Sequence, residues 1–221
     1  MAVSYRQGVR GYYYGNDYKS SNPLTTTQMK VNAQYIFAVL SSNGWTMPSI
    51  CALLGNMQAE STINPGRWQS DRVGGSASGH GYGLVQWTPY TKYTEWATSN
   101  GYSDPSEMDA NISRILYEVT NNIQWIATSS WSGMSFFEFT QSRNSPSDLA
   151  KAFLLCYERP ANQSSSVQAY RGSLADAWYE YLTGGEYVEP DNPGGDTPVI
   201  TRKKKKGYKF LLFDRKRRYY G

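Results

Sequence analysis

The residues best suited to chemistry lie in the stretch Ile50–Pro65, where a glutamate follows an apolar helical pattern. Ile50, Leu53 and Met57 recur at helical spacing, and at about 100° per residue Glu60 falls on the edge of the same stripe. Burial and the negative end of the helix dipole would both raise the pKa of this carboxyl. A carboxyl that stays protonated near neutral pH is a general acid. The alternative is a glutamate that only meets solvent at a helix end.

The composition sets the size and surface character of the protein. Its 221 residues suffice for one full core with appendages. Aromatic residues make up 15% of the chain, including 19 Tyr and 7 Trp, which is more than a minimal core needs. Such a surplus suits the flat faces of carbohydrates, and it equally suits a tyrosine-rich surface that assembles with other proteins.

The charge of the chain is divided unevenly. Residues 201–221 carry ten basic side chains and one acidic one, so residues 1–200 carry 12 basic and 17 acidic side chains and a net charge of −5. Basicity is therefore a property of the C-terminal end. A nucleic-acid-binding surface across the whole fold is disfavoured, and we expect no nucleic-acid partner.

Histidine and cysteine usage excludes several kinds of site. His80 is the single histidine, which disfavours a histidine-rich zinc site and leaves a Ser-His-Asp triad resting on one residue. Cys51 and Cys156 are the two cysteines and are predicted to be buried thiols. No run of 18 apolar residues and no signal-peptide pattern is present. We expect no metal and no cofactor.

The pattern predicts four segments and a mostly α-helical α+β fold. Residues 1–24 are predicted to be irregular, and residues 25–184 to form the folded domain. Within that domain, Gly-flanked alternation at 80–87 indicates a small β-hairpin or extended stretch. Residues 185–200 are rich in Gly and Pro and are predicted to be a linker, followed by the basic, aromatic tail 201–221.

The glycine-rich loop that follows Glu60 offers one further carboxyl. Asp71 is the only other acid between Glu60 and Trp87, and it could hold a water or stabilise a sugar cation. A single aspartate in a loop is more often a turn residue, and that alternative stays open.

Aromatic and amide side chains near this loop are candidates for binding sugar. Tyr82 and Gln86, on the extended stretch, could hydrogen-bond sugar hydroxyls or acetamides, with ordinary strand packing as the alternative. Trp68 and Trp87 could stack on sugar rings, or they could belong to the core.

Several ordered motifs in the chain resemble the phage tail lysozyme family. They are Met29–Ile36, Leu40–Thr46, Leu54–Pro65, Gly81–Thr88 and Tyr157–Pro160. The resemblance is greatest to members from small podoviruses with protein-primed genomes. It implies a lysozyme-like fold that cleaves the β-1,4 bond between N-acetylmuramic acid and N-acetylglucosamine, with Glu60 as the acid. It also implies that Tyr157 and Glu158 approach the cleft; a cap or salt bridge at a helix end is the alternative for Glu158.

One departure from the resembled proteins limits the expected activity. Those podovirus proteins carry a second, zinc-dependent peptidase domain after a glycine-rich linker, whereas His80 alone cannot form such a site here. Cleavage of peptide cross-links is therefore not expected. A lytic transglycosylase using the same Glu60 needs no second carboxylate and remains an alternative, as does a non-catalytic plug that only binds glycan.

The resemblance also implies where the protein acts. We expect it in the virion at the tail tip, made in the host cytoplasm and acting on the host cell wall. Residues 1–24 and 201–221 are predicted to contact tail-knob proteins. For the basic tail, contact with wall polymer or a membrane, or plain solvation, are the alternatives.

Overall fold

The structure is a computed structural model that describes residues 3–73, 79–129, 131 and 133–192. Seven α-helices and one small sheet are present in these residues. The strands are β1 (Ser4–Gly8) and β2 (Gly11–Gly15), and the helices are α1 (Thr26–Ser42), α2 (Met47–Ser61), α3 (Thr91–Ser99), α4 (Met108–Thr120), α5 (Phe136–Gln141), α6 (Pro146–Phe153) and α7 (Ser165–Leu182). The predicted α+β, mostly helical fold is confirmed. The predicted tail 201–221 lies outside the described residues.

Helix α2 forms the centre of the core. It packs against α1, α6 and α7, and its residues from Ser49 to Gln58 are all buried, so no face of this part of the helix meets solvent. Gly55 permits the closest approach to α7, because a Cβ there would lie 2.7 Å from the backbone nitrogen of Ala175. This close crossing brings the C-terminal end of α2, with Glu60, beside α7.

Local signals in the sequence define both ends of α2. Thr46 accepts a hydrogen bond from the backbone of Ser49, and proline occupies the first turn. Thr62 and Ile63 both adopt left-handed backbone conformations, with φ of 55°, and end the helix. Ser61 donates a hydrogen bond of 2.8 Å to the carbonyl of Leu84. The helix end is thus joined to the loop of residues 80–87.

The two-stranded sheet lies in the N-terminal segment, which was expected to be irregular. Strands β1 and β2 are antiparallel, with Tyr5 opposite Tyr14 and Arg6 opposite Tyr13. Tyr13 faces the core and is 1% exposed, whereas Tyr5 on the opposite face is 57% exposed. Alternation of this kind, in tyrosine-rich residues that favour strands, explains the hairpin.

Residues 80–87 form isolated bridges rather than a regular hairpin. Tyr82 pairs with Trp87 and with Trp68, so the loop after α2 and the 80–87 stretch are held together. In place of the predicted small β-hairpin or extended stretch, these residues form a short, bridged turn, which provides a wall facing the end of α2.

The last described residues pack back onto the helical domain. Tyr187 is fully buried, with its ring 4.3 Å from that of Trp178, and its hydroxyl donates to Oε1 of Gln58 at 2.6 Å. The described part of the predicted linker therefore contacts α2 and α7. The division of the chain into four segments stays a prediction.

Two further features of the described residues bear on the protein's class. Cys51 and Cys156 are both buried free thiols, as predicted. Burial raises the pKa of Cys51 to about 12, so this thiol is not a nucleophile. None of the described helices has the length and apolar character required to cross a membrane.

Candidate active-site cleft

A cleft of about 250 Å³ lies where the end of α2 faces the bridged turn of residues 80–87. We call it the acidic cleft, because two carboxylic side chains line it. Its lining residues are Glu60, Arg67, Trp68, Gln69, Ser70, Gln86, Thr88, Glu158 and Pro160. An adjoining pocket of about 230 Å³ is lined by Val85, Gln86, Trp87, Thr88, Lys92, Gln124, Tyr157, Glu158 and Arg159. Gln86, Thr88 and Glu158 line both, so the two pockets are neighbours, and we call them together the groove.

Glu60 lies in the last turn of α2 and is ion-paired. Its side chain is 21% exposed, and its Oε1 lies 2.5 Å from Nη2 of Arg171 on α7. Arg171 also donates to the backbone oxygen of Asn56 at 2.8 Å and is 8% exposed. The guanidinium is thereby fixed by two partners on α2, and it holds the glutamate in one orientation at the cleft wall.

Glu158 brings the second carboxyl to the cleft. It ends a π-helical turn, Leu154–Glu158, that follows α6, and Arg159 then adopts a left-handed conformation with φ of 46°. Such turns are rare inside helices and are frequent at functional sites. Oε1 of Glu158 is buried and has no hydrogen-bond partner among the described residues.

The environment of Glu158 favours its neutral form. Burial raises the pKa of this carboxyl well above its ordinary value, and the negative charges of Glu60 and Glu118 act in the same direction. The nearby cations Arg171 and Arg159 oppose the shift but do not reverse it. A carboxyl whose surroundings favour its neutral form therefore lines the same cleft as an ion-paired one.

Gln86 is held rigidly in the opposite wall. Its backbone is left-handed, with φ of 52°, and its Nε2 donates to the carbonyls of Arg67 at 3.0 Å and Gly83 at 2.9 Å. Its Oε1 is buried and has no hydrogen-bond partner among the described residues. The amide thus lines the groove with one buried acceptor left unsatisfied among the described residues.

The aromatic candidates lie mostly in the core beneath the cleft. Trp68 and Tyr82 are fully buried, Trp87 is 4% exposed and Tyr157 is 2% exposed. Trp68 still lines the acidic cleft, and Trp87 and Tyr157 line the adjoining pocket, whereas Tyr82 lies behind the wall. Contact between any of these rings and a sugar stays a prediction.

Asp71 ends a short 3-10 turn, Gln69–Asp71, that begins in the cleft wall. Its side chain lies outside the described part of the structure, so its predicted role as the second carboxyl stays a prediction. His80 lies outside both pockets' linings. Among the described residues, no group of three His, Cys, Asp or Glu side chains has a metal-binding arrangement.

The structure adds one site residue that the sequence interpretation missed, Arg171. It lies on the apolar stripe of α7, four residues after Val167 and three before Leu174. A cation on such a stripe must be buried, and a buried cation needs an anionic partner. That pattern could have indicated the ion pair, although it could not have identified Glu60 as the partner.

The described residues thus form a helical domain with a carboxyl at the end of its central helix, facing a short bridged turn across a groove. Residues 31–182 match the family described as phage tail lysozyme, and the chain belongs to this family. Morphogenesis protein 1 of Bacillus phage B103 is 49% identical over 167 residues, which is 76% of this chain and 43% of that protein. The chain spans less than half the length of this relative.

Proposed function

We propose that the protein is a virion-associated peptidoglycan glycosidase, a muramidase, that cleaves the β-1,4 bond between N-acetylmuramic acid and N-acetylglucosamine. The observation that carries the proposal is the acidic cleft, in which Glu60 and Glu158 lie opposite the rigid amide of Gln86. Membership of the phage tail lysozyme family supports the choice of a peptidoglycan glycan as substrate.

In the proposed cleavage of the glycosidic bond, Glu60 acts as the general acid. It gives a proton to the glycosidic oxygen as the bond from that oxygen to the anomeric carbon breaks, and the bonding electrons remain on the leaving oxygen. The resulting oxocarbenium-like sugar is positively charged, and carboxylates in the cleft stabilise it. Water then completes hydrolysis. In a transglycosylase, a hydroxyl of the same sugar would close on the anomeric carbon instead.

We further propose that the protein acts at the tail tip, where opening a local hole in the host wall serves genome delivery. The name of the relative, Morphogenesis protein 1, supports a place in the virion. Partners would be the glycan strand and tail-knob proteins, the latter bound through residues 1–24 and 201–221. The exposed tyrosines of the hairpin, Tyr5 and Tyr12, suit such contacts because tyrosine is enriched at protein interfaces.

Replacing the acid tests the proposal directly. Glu60→Gln keeps the shape of the side chain and removes its proton, so clearing of purified cell walls should fall by at least about 100-fold. Glu95→Gln is the matched control, because Glu95 is exposed on α3 outside both pockets. Full activity in Glu60→Gln would overturn the proposal.

Analysis of the released fragments separates the three candidate functions. Mass spectrometry of the digest should show reducing ends, as expected for a hydrolase, whereas anhydro ends would identify a lytic transglycosylase. A wild-type protein that pulls down with peptidoglycan but releases no fragments would be the non-catalytic, glycan-binding plug.

A further inference from the structure

Three ionisable side chains from three separate elements meet at the acidic cleft. Glu60 comes from α2, Glu158 from the π-helical turn and Arg171 from α7. Arg171 directs Nη2 to Glu60 and Nη1 to the backbone of Asn56. The Arg171 guanidinium thus lies near two carboxyls, those of Glu60 and Glu158. Of these two, its described hydrogen bonds reach only Glu60.

The groove also holds two buried acceptor atoms without a partner among the described residues. These are Oε1 of Glu158 and Oε1 of Gln86, and both side chains line the acidic cleft and the adjoining pocket. Buried polar atoms in folded proteins are nearly always hydrogen-bonded. Two unsatisfied acceptors at one place therefore indicate where hydrogen-bond donors of a ligand, such as hydroxyl or acetamide N–H groups, will bind.

The resting arrangement creates a difficulty for acid catalysis by Glu60. The ion pair joins the Arg171 guanidinium to a carboxylate oxygen of Glu60, and a carboxylate has no proton to give. Glu158 lies close enough for the two charges to interact, and it is the group that its surroundings keep neutral. The charged groups that act on it are Glu60 on α2, Glu118 on α4, Arg171 on α7 and its neighbour Arg159. Arg67 also lines the acidic cleft.

We infer that Glu60 and Glu158 share one proton, that Glu158 holds it in the empty cleft, and that a bound glycan shifts it to Glu60. The inference rests on the proposed function for its substrate and deepens it. Glu158 is then a positioning residue, because it acts on the reaction through the protonation state of Glu60.

The proton is conserved in each step. A donor group of the glycan hydrogen-bonds to the carboxyl of Glu158, which lines the cleft, and thereby stabilises the ionised form of that carboxyl. Glu158 releases its proton to water in the cleft, and Glu60 takes one up as the negative charge beside it appears. Glu60 then gives this proton to the leaving oxygen. The pair regains one proton from the water molecule whose hydroxyl adds to the anomeric carbon.

The pH profile of wall cleavage by Glu158→Gln tests the inference. Glutamine retains the size and hydrogen-bonding ability of the neutral acid but can never become an anion. Without that anion Glu60 loses its proton more readily, so the basic limb of the profile should move to lower pH by about one unit or more. Glu95→Gln should leave the profile unchanged. A uniform loss of activity with an unmoved basic limb would indicate a merely structural residue and would overturn the inference.

Removing the cation should move the same limb in the opposite direction. In Arg171→Met the pair of carboxyls no longer faces a guanidinium, so it binds its proton more tightly and the basic limb should move to higher pH. Opposite shifts in the two variants are a result that damage to the fold would not produce. Shifts in the same direction would contradict a shared proton.

A measurement that does not depend on activity separates this inference from the proposed function. Glutamate labelled with ¹³C at the side-chain carboxyl gives one NMR signal for each glutamate, and the signal that disappears in Glu158→Gln is assigned to Glu158. In the wild-type protein near neutral pH, the chemical shift of this signal should be that of a neutral carboxyl. Adding the disaccharide of N-acetylglucosamine and N-acetylmuramic acid should move that signal to the ionised position, and the Glu60 signal to the protonated one. An ionised Glu158 in the empty protein overturns the shared proton while leaving the proposed function intact. Full activity in Glu60→Gln overturns the function, whatever the NMR shows.

Discussion

Two glutamates that each have a buried carboxyl oxygen, Glu118 on α4 and Glu158 at the cleft, differ in how well their carboxyls are hydrogen-bonded. Oε1 of Glu118 accepts hydrogen bonds from Trp87 at 3.0 Å and Arg114 at 2.9 Å, and Oε2 accepts one from Tyr157 at 2.5 Å. Oε1 of Glu158 accepts none among the described residues. Burial raises the pKa of both carboxyls, and for Glu118 the hydrogen bonds of Tyr157, Arg114 and Trp87 oppose that shift.

The difference separates a carboxyl that stabilises the fold from one that we propose to serve the reaction. A fully hydrogen-bonded buried group stabilises the arrangement around it, whereas an unsatisfied one costs stability and persists where it has another use. Glu118 accepts hydrogen bonds from Trp87, Arg114 and Tyr157. Tyr157 directly precedes Glu158 in the sequence. The satisfied glutamate thereby fixes the turn that carries the unsatisfied one.

The strongest test of this contrast is removal of the Glu118 carboxyl. Glu118→Ala leaves the Arg114 cation and two donors buried without their acceptor, and Arg114 is only 9% exposed. Loss of one partner from such a buried pair should lower the free energy of unfolding by about 3 to 5 kcal/mol. Urea denaturation followed by tryptophan fluorescence measures it. A loss below about 1 kcal/mol would show that the hydrogen bonds of Glu118 do not fix the turn that carries Glu158.

Breaking the Arg171–Glu60 ion pair should cost less stability than removing the Glu118 carboxyl and more than removing the Glu158 carboxyl. Arg171→Met removes a buried cation, but the Glu60 carboxylate left behind is 21% exposed and can be hydrated through the cleft. We therefore expect a loss of about 2 kcal/mol in the free energy of unfolding. Thermal and urea unfolding should agree on this value. A loss as large as that of Glu118→Ala would mean that the cleft does not admit water to Glu60.

Particular residues show what the sequence could and could not predict. The caps of α1 and α2, the mostly helical fold and the place of Glu60 at a helix end are local features, which spacing and capping residues specify. The hairpin of β1 and β2 was not predicted, because its stretch is rich in tyrosine and glycine and the sequence shows no clear periodicity. Only packing on α1 distinguishes its buried face from its exposed face. There Asn32 donates to the carbonyl of Tyr14 and accepts from its N–H, both at 2.7 Å.

The candidate site was predictable in its parts and not in its electrostatics. Glu60, Gln86 and Glu158 could be singled out from motifs, and the structure brings all three to one cleft. The pairing of Glu60 with Arg171 joins residues 111 positions apart and depends on the close crossing of α2 and α7 at Gly55. Long-range contacts of this kind follow from the packing of whole helices, which no local pattern specifies.

A smaller effect is expected from removing the unsatisfied carboxyl. Because the pKa of Glu158 is raised in the folded protein, its contribution to stability is fully present below the pKa of the unfolded chain, near 4.3, and is lost as the pH rises towards the folded value. Glu158→Gln does not titrate, so the variant should gain stability relative to wild type over that range, by at most about 1.4 kcal/mol per pH unit.

Urea unfolding of both proteins at a series of pH values measures this difference. The two stabilities should lie closest at low pH and separate as the pH rises. A constant difference across the series would contradict the neutral state of Glu158 in the folded protein. The same series run on Glu118→Gln serves as the comparison with a carboxyl that already has its hydrogen bonds.

The smallest effect is expected where a carboxylate pairs with a cation in solvent. Lys151 lies 3.2 Å from Asp148 on α6, three residues away, and their side chains are 36% and 54% exposed. Water screens this pair, and Asp148 keeps the hydrogen bond from Ser145 whether or not the lysine is present. Lys151→Gln should therefore change the free energy of unfolding by less than about 0.5 kcal/mol. A loss of stability comparable to that of Arg171→Met would contradict this order. It would mean that the distance between charges, rather than burial and unsatisfied hydrogen-bond partners, determines how much each carboxyl contributes to stability.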